Sequence, residues 1–386
     1  MKRLELTCVA PIFPTPWFPE SGVFLKNLAD VMGDQDTTLQ VIAPLSLGMQ
    51  MRERSRGGAV KTVISQNYAV VRPQYLALPL RWCAENGFAR RLNLMLFRRC
   101  VERGLLICPL PVRVVYGHFW VGGYAVQRWC KSRSIPFFVE LQESGLRGLF
   151  DGRSEARAGR VFCDSEGIVC VSRENERFLG DIELPARVKV KYLPNGFDAR
   201  RFFPMDRTEC RRRLGLPLSG RIVVFAGHFI ERKGPLRVVA ALSRLKDAKG
   251  VFLGRGPQWP AGDRVLHAGP VLNSELPIWL SAGDLFVLPS LEEGLANVIV
   301  EAMACGLPLV VSDRLFNRDF LSENDAVFVD PESVSAISCG LASVLGSESR
   351  RAALAKAALS KSIAFCLQKR AAEIKAFVLD QIQRTL

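Results

Sequence analysis

Residues 284–311 read DLFVLPSLEEGLANVIVEAMACGLPLVV, and the fold is decided there. The first apolar run, DLFVLP at 284–289, and the last, LPLVV at 307–311, are short, almost wholly apolar and punctuated by proline. Runs of that kind are strands buried on both faces, as in parallel sheets covered by helices. Between them VIVEAMA at 298–304 reads as an apolar helix with one carboxylate, Glu301, beside Val300, Ala302 and Met303. Gly306 and Pro308 end that helix and begin the next strand. The stretch is therefore a strand–helix–strand unit with a right-handed crossover.

Working outward, the same alternation recurs. LELTCVA (4–10), LQVIA (39–43), VRVVY (112–116), PFFVEL (136–141) and GIVCV (167–171) read as buried strands in the first half. RIVVFA (221–226), GVFL (250–253) and AVFV (326–329) read likewise in the second. Helical segments lie between them, so the expected class is α/β, doubly wound. A chain of 386 residues exceeds one ordinary core and suits two domains of about 150 residues each. The break falls in LPNGFDARRFFPM (193–205), which combines Pro194, Asn195-Gly196 and Pro204. The expected domains are 1–195 and 196–368, with a final helix, 369–386, crossing back to the first. Two Rossmann-like domains facing each other would bind ligands outside the carboxyl ends of their strands, in a central cleft.

The loop after LFVLP carries Ser290, Glu292, Glu293 and Gly294. Glu293 is expected just before the helix and Glu301 about two turns into it, both lining one pocket. The backbone amides of Gly294, Leu295, Ala296 and Asn297 at the helix start suit a phosphate, each such interaction adding about 0.3–1 kcal/mol. A lone helical glutamate is ordinarily a solvated residue; inside E-G-L-A-N-x₃-E-A-M-A-C-G-x-P, Glu301 reads instead as a bidentate acceptor for the two hydroxyls of a ribose.

The net charge is +14, and the excess leans to residues 1–195, with 27 basic and 18 acidic residues against 25 and 20 in 196–386. Anionic partners follow: a nucleotide, a nucleic acid or a membrane surface. A nucleic-acid binder is disfavoured because the charge is dispersed and no recognised module is present. In FARRLNLMLFRRCVER (88–103), Arg90, Arg91, Arg98 and Arg99 flank Leu92, Leu94, Leu96 and Phe97. Two readings stay open: a basic helix resting on an anionic membrane, or a surface helix with solvated arginines. No run reaches the roughly 18 apolar residues of a membrane span. The N-terminal MKRLELTCVAPIF is broken by Glu5 and Pro11 and reads as a first buried strand rather than a secretory signal. The eleven cysteines are scattered, without C-x-x-C or histidine partners, as expected of reduced thiols in a cytosolic protein with no metal site.

PSLEEGLANVIVEAMACGLPLVVSD (289–313) resembles the E-x₇-E segment of GT-B retaining glycosyltransferases of family 4, the glycosyl transferases group 1. VKYLPNGFDARRFFP (190–204) is similar to the family's interdomain segment, VVFAGHFIERKGPLRVVAAL (223–242) to its G-x₅-KG element and LGRGP (253–257) to its next loop. SRENERFL (172–179) and PTPWFPESGVFLKNLADVM (14–32) resemble segments of its acceptor domain. The resemblance implies a GT-B fold and a metal-independent, retaining hexosyltransferase. It would use a nucleotide-diphosphate sugar, UDP or GDP, and no other cofactor, with a glycan or lipid-linked glycan as acceptor. The setting implied is the cytoplasm or the cytoplasmic face of the inner membrane.

The resemblance also implies roles. Glu301 would hold the ribose, Glu293 the donor sugar, and the amides of Gly294 to Asn297 sugar and diphosphate. Lys233 would neutralise the diphosphate; Gly22 and Gly254 would let backbone approach the donor; His118 would act on the acceptor side. Three places depart from the family. His228 stands where many members have arginine, so Arg232 is expected to supply that charge or His228 to donate directly. Gln142 stands where a histidine is common, and two readings stay open: Glu140, Gln142 or Glu143 binding acceptor hydroxyls, or a plain loop. SDRLFNRDF (312–320) replaces a Gly-Gly-x-x-Glu loop, and two readings stay open: Asn317 or Asp319 as ligand contacts, or a plain loop. The competing readings are other nucleotide-sugar chemistry, such as epimerisation or phosphorolysis, and a catalytically degraded nucleotide-sugar-binding protein.

Overall fold

The computed structural model describes the chain except residues 1–2, 17, 20, 49–50, 52–62, 65–66, 79–86, 144–145, 147–151 and 386. Two compact units emerge. One is Met1–Leu193 with Arg370–Leu386; the other is Pro194–Lys369.

The first unit holds strands β1 (Leu4–Val9), β2 (Thr37–Ile42), β3 (Leu45–Ser46), β4 (Val63–Ile64), β5 (Tyr68–Val71), β6 (Gln74–Tyr75), β7 (Val114–His118), β8 (Phe137–Leu141), β9 (Gly167–Cys170) and β10 (Lys189–Tyr192). Its main sheet runs β10-β9-β8-β7-β1-β2-β5-β4. All of its pairings are parallel except β4 with β5; β3 and β6 form a separate parallel pair. Val115, Val139 and Ile168 are fully buried and pack on Val126 and Phe162 of the covering helices. This two-faced burial is why the strands read as unbroken apolar runs.

The second unit holds β11 (Arg221–Ala226), β12 (Ala248–Leu253), β13 (Val265–Gly269), β14 (Leu285–Leu288), β15 (Leu309–Ser312) and β16 (Ala326–Val329). They form one parallel sheet in the order β13-β12-β11-β14-β15-β16. This is the doubly wound order, and it reverses direction between β11 and β14. Asp284, 3% exposed, anchors that junction. It accepts from the Ile222 amide at 2.8 Å and from Arg211 Nη2 at 2.7 Å; a buried carboxylate persists only when partnered in this way.

Several boundaries differ from expectation. His118 is the last residue of β7 rather than the second residue after it. The helix carrying Glu301 begins at Asn297, so Glu301 lies about one turn in, not two; the chain before it stays extended, with Ala296 at ψ 105. Strands β3, β4, β5, β6, β10 and β13 went unread. KVKY and VLHAG are edge strands, only half-buried along most of their length, and an edge supplies little apolar signal. The helix Gly87–Leu106 contains the basic segment. It buries Ala89, Phe97, Cys100, Val101 and Leu105; of the apolar residues offered to a membrane, Phe97 is core and Leu92, Leu94 and Leu96 are half-buried. No described helix is long and apolar enough to cross a membrane. Cys8, Cys170 and Cys305 are buried free thiols.

Candidate active site

In the second unit the site grows from the strand ends at the reversal. β11 leads into Gly227-His228 and a short 3₁₀ turn, Glu231–Lys233; β14 leads into the Ser290–Ala296 loop. The Leu291 amide donates to the Arg232 carbonyl at 2.8 Å, which fastens the two loops. Lys233 Nζ consequently forms an ion pair with Glu293 Oε1, and Arg232 lies 3.5 Å from Glu293 Oε2. Arg232 also donates to the Glu292 carbonyl. Glu293 is 7% exposed, in a low-dielectric setting that strengthens the pairing.

Immediately downstream the helix Asn297–Ala304 begins with no side-chain cap. The amides of Gly294, Leu295, Ala296 and Asn297 donate to no group among the described residues. Among the described residues Ser290 Oγ and Asn297 Oδ1 are buried without a hydrogen-bond partner. Unmet buried polar groups are rare in folded proteins. Four free amides and two orphaned oxygens beside a lysine make a ready receptor for an anion with attached hydroxyls.

Glu301 lies apart from that ion pair. Burial pushes its carboxyl up to about 7, against the pull of Arg201. Arg201 is held by the side-chain oxygen and carbonyl of Asn273, each at 2.6 Å. Sequence reading missed Arg201 although it lies within the quoted interdomain segment, because a single arginine beside Arg200 looks solvated. His228 is exposed, and among the described residues its one hydrogen bond is to its backbone carbonyl, from the Ile230 amide. Gly254 has φ 154, and a Cβ there would sit 1.9 Å from the Gly227 carbonyl oxygen; the ends of β11 and β12 approach so closely that only glycine fits. Asn317 is 1% exposed and donates to Ser312. It braces the end of β15, so the ligand contact expected of it is replaced by a structural bond; Asp319 caps the short helix Leu315–Arg318.

In the first unit the corresponding reversal lies between β1 and β7. Gly22, at φ 69, opens the helix Val23–Met32, and a Cβ would meet the Ile12 carbonyl oxygen at 2.6 Å. His118 is 3% exposed. Its Nδ1 lies 3.6 Å from Glu140 and 3.4 Å from Gln142 Nε2. Phe119 follows with φ 60, a conformation that costs a bulky residue about 1–3 kcal/mol and clusters at functional sites.

Glu140 is fully buried. Burial raises its carboxyl, but the Arg370 guanidinium, then His118 and the Tyr116 hydroxyl, overcome that and hold it at about 2. Arg370 lies 3.0 Å away, and Gln142 and Tyr116 donate to the same carboxylate. Glu140 is thus a fixed anion orienting His118 and Gln142, not a group open to sugar hydroxyls. Glu143 accepts from the Trp120 amide at 2.8 Å and the Gln142 amide at 3.0 Å, so it satisfies the start of the helix Phe119–Lys131. Its carboxyl is pushed up to about 7, mainly by burial. Ser144, which completes ELQES, lies outside the described residues.

Comparison with known proteins completes the picture. Residues 206–361 match the family model Glycosyl transferases group 1. The chain belongs to the group 1 glycosyl transferases. Over 357 residues it is 26% identical to a protein named for teichuronic acid biosynthesis, the glycosyltransferase TuaC of Bacillus subtilis (strain 168), covering 86% of this chain and 87% of that one. Its fold is similar to sucrose-phosphate synthase from Thermosynechococcus elongatus, with TM-score 0.80, 16% identity and coverage of 99% and 100%. HepE of Anabaena, solved in complex with UDP-glucose, matches with TM-score 0.72 and 14% identity over 98% of this chain and 100% of that one. The fold of this glycosyltransferase is therefore α/β of the GT-B kind.

Proposed function

We propose that this glycosyltransferase moves a hexose, with retention and without a metal, from a nucleotide-diphosphate sugar to a glycan or lipid-linked glycan at the cytoplasmic face of a membrane. The observation that carries this reading is the juxtaposition of Lys233 and Glu293 with the unengaged amides of residues 294–297. A departing diphosphate gains negative charge in the transition state. A fixed cation and aligned N–H dipoles stabilise that charge without reorganising. Glu293 keeps Lys233 in place and offers oxygen to the sugar hydroxyls; Glu301 accepts from the ribose. His118, held by Glu140 and Gln142, serves the acceptor. The complex of HepE with UDP-glucose supports UDP as the nucleotide, and the naming of TuaC supports a cell-surface polysaccharide as the product class.

The test is a thermal-shift screen of UDP-, GDP-, ADP- and CMP-sugars followed by product analysis with glycan acceptors. Bound donor stabilises the fold by linkage, about 2.7 kcal/mol at a hundredfold excess over Kd. Transfer with an unchanged anomeric configuration is expected. Inversion, epimerised donor or phosphorolysis products would replace this reading.

A further inference from the structure

The first unit carries a second concave feature that donor chemistry does not use. A cavity of about 620 Å³ is lined by Arg91, Arg98, Arg128, Lys131, Arg157 and Arg160, with Tyr124, Gln127 and Asp164. Its six cations come in pairs from three helices, Gly87–Leu106, Phe119–Lys131 and Gly152–Asp164. Asp164 is the one carboxylate among the described lining residues, and it is occupied by Lys131 at 2.9 Å and Gln127 at 2.7 Å. Arg91, Arg128, Arg157 and Arg160 have no ion-pair partner among the described residues. Arg98 and Arg157 both lie against the Tyr124 ring, 5.6 and 6.0 Å from its centre, and Arg98 Nε lies 3.8 Å from Glu102 Oε1 on its own helix. So many like charges in one concave surface make a positive field that attracts anions.

The charges are spread rather than convergent. Arg91 and Arg98 are two helical turns apart, about 10 Å along the axis. One phosphate cannot meet both; a chain with repeated anions can. A bilayer is a poorer match. The trough is concave, and on the helix bearing Arg91 and Arg98 Phe97 is buried and Leu92, Leu94 and Leu96 are half-buried. Its widely exposed Phe88 and Leu106 stand at opposite ends, about 27 Å apart, and make no single inserting face. Stacked nucleobases need open aromatic platforms, whereas Tyr124, the one aromatic in the lining, is flanked by guanidiniums.

We propose that this groove binds an acidic glycan, a sugar chain bearing carboxylates or phosphates at intervals, and so docks acceptor or product. The choice of a glycan rests on the transferase reading above. The helix Phe119–Lys131 starts beside His118, and Tyr124 to Lys131 lie about 9 to 20 Å along it. That is the reach of a few sugar residues, so a chain held in the groove would keep its end in the neighbourhood of His118 at high effective concentration.

The test titrates the full-length enzyme with fluorescent polygalacturonate fragments at low salt, in parallel with UDP-glucose binding by thermal shift. The exposed triple variant R91E/R128E/R160E and its neutral counterpart R91Q/R128Q/R160Q are compared with wild type. Polygalacturonate should bind wild type in a length- and salt-dependent way. Affinity should fall at least tenfold in the glutamate variant and by an intermediate factor in the glutamine variant, with UDP-glucose binding and circular dichroism unchanged. Equal affinity in all three proteins overturns the proposal. So does groove-dependent capture of phosphatidylglycerol vesicles or single-stranded DNA without polygalacturonate binding. Failure of the donor reading would show instead in the UDP-glucose arm, leaving the glycan titration intact.

Discussion

Two glutamates eight residues apart behave differently because of what surrounds each. Glu293 is paired with Lys233, whereas Glu301 faces burial opposed by the pull of Arg201. Lys233→Ala should lower kcat about 100-fold while changing UDP-glucose Kd much less, because leaving-group charge peaks in the transition state; equal kcat in variant and wild type would sink that role. Glu301→Gln should weaken UDP-glucose binding about 10–100-fold, the range for a hydrogen bond to a charged acceptor. The same variant tests the raised carboxyl. Folded Glu301 keeps a proton, up to about pH 7, that an unfolded glutamate releases near 4.5. Apo stability from this group is therefore present below pH 4.5 and lost as pH rises through about 7. Denaturant titration of apo protein at pH 8 should find Glu301→Gln at least as stable as wild type, by about 1–3 kcal/mol, and the gap should close by pH 4.5. A gap that widens on acidification contradicts the raised value.

Among the elements, the strand ends matter most. β11 and β12 leave their sheet side by side, and Gly254 lets their loops touch. Gly254→Ala should destabilise the protein by about 2–4 kcal/mol, in the class of backbone overlap and strain, as read by the midpoint of chemical denaturation. Full stability would mean that the loops part freely. In the first unit the helix after β7 begins at a strained Phe119 and is satisfied by Glu143 from the loop after β8. Two neighbouring strands thereby fix one histidine.

On the scale of the whole molecule, the chain's last helix supplies a cation to its first unit. Arg370 meets Glu140 and donates to the Leu193 carbonyl, while Lys375 pairs with Asp34 and Lys191 with Glu373. Arg370→Met strands a buried carboxylate and should cost about 3–5 kcal/mol; adding Glu140→Gln should recover much of that, because the loss comes from the uncompensated charge. Thermal unfolding of both variants checks it, and an additive double variant would refute the coupling. Wild-type stability from this pair is present above about pH 4.5 and lost as pH falls toward 2, where Glu140 protonates.

The sequence by itself determined the alternation of strands and helices, the break near Pro194 and the loop–helix segment around Glu293, since local apolar pattern and turn chemistry specify these without distant partners. RIVVFA and AVFV became strands with the expected bounds; the first is a central strand that buries all but Arg221, and the second, although at the sheet edge, is apolar at every position. Tertiary structure decided the rest. Nothing in ELQES says that Glu140 is an interior anion, since its partner lies 230 residues away at Arg370; the same five residues on a surface would be a plain polar loop. Nor does any local pattern bring Arg91, Arg128 and Arg160 to one groove, because three separate helices must first pack on one sheet. Burial and pairing depend on contacts between segments far apart in sequence, and these set the charge states of Glu140, Glu143 and Glu301.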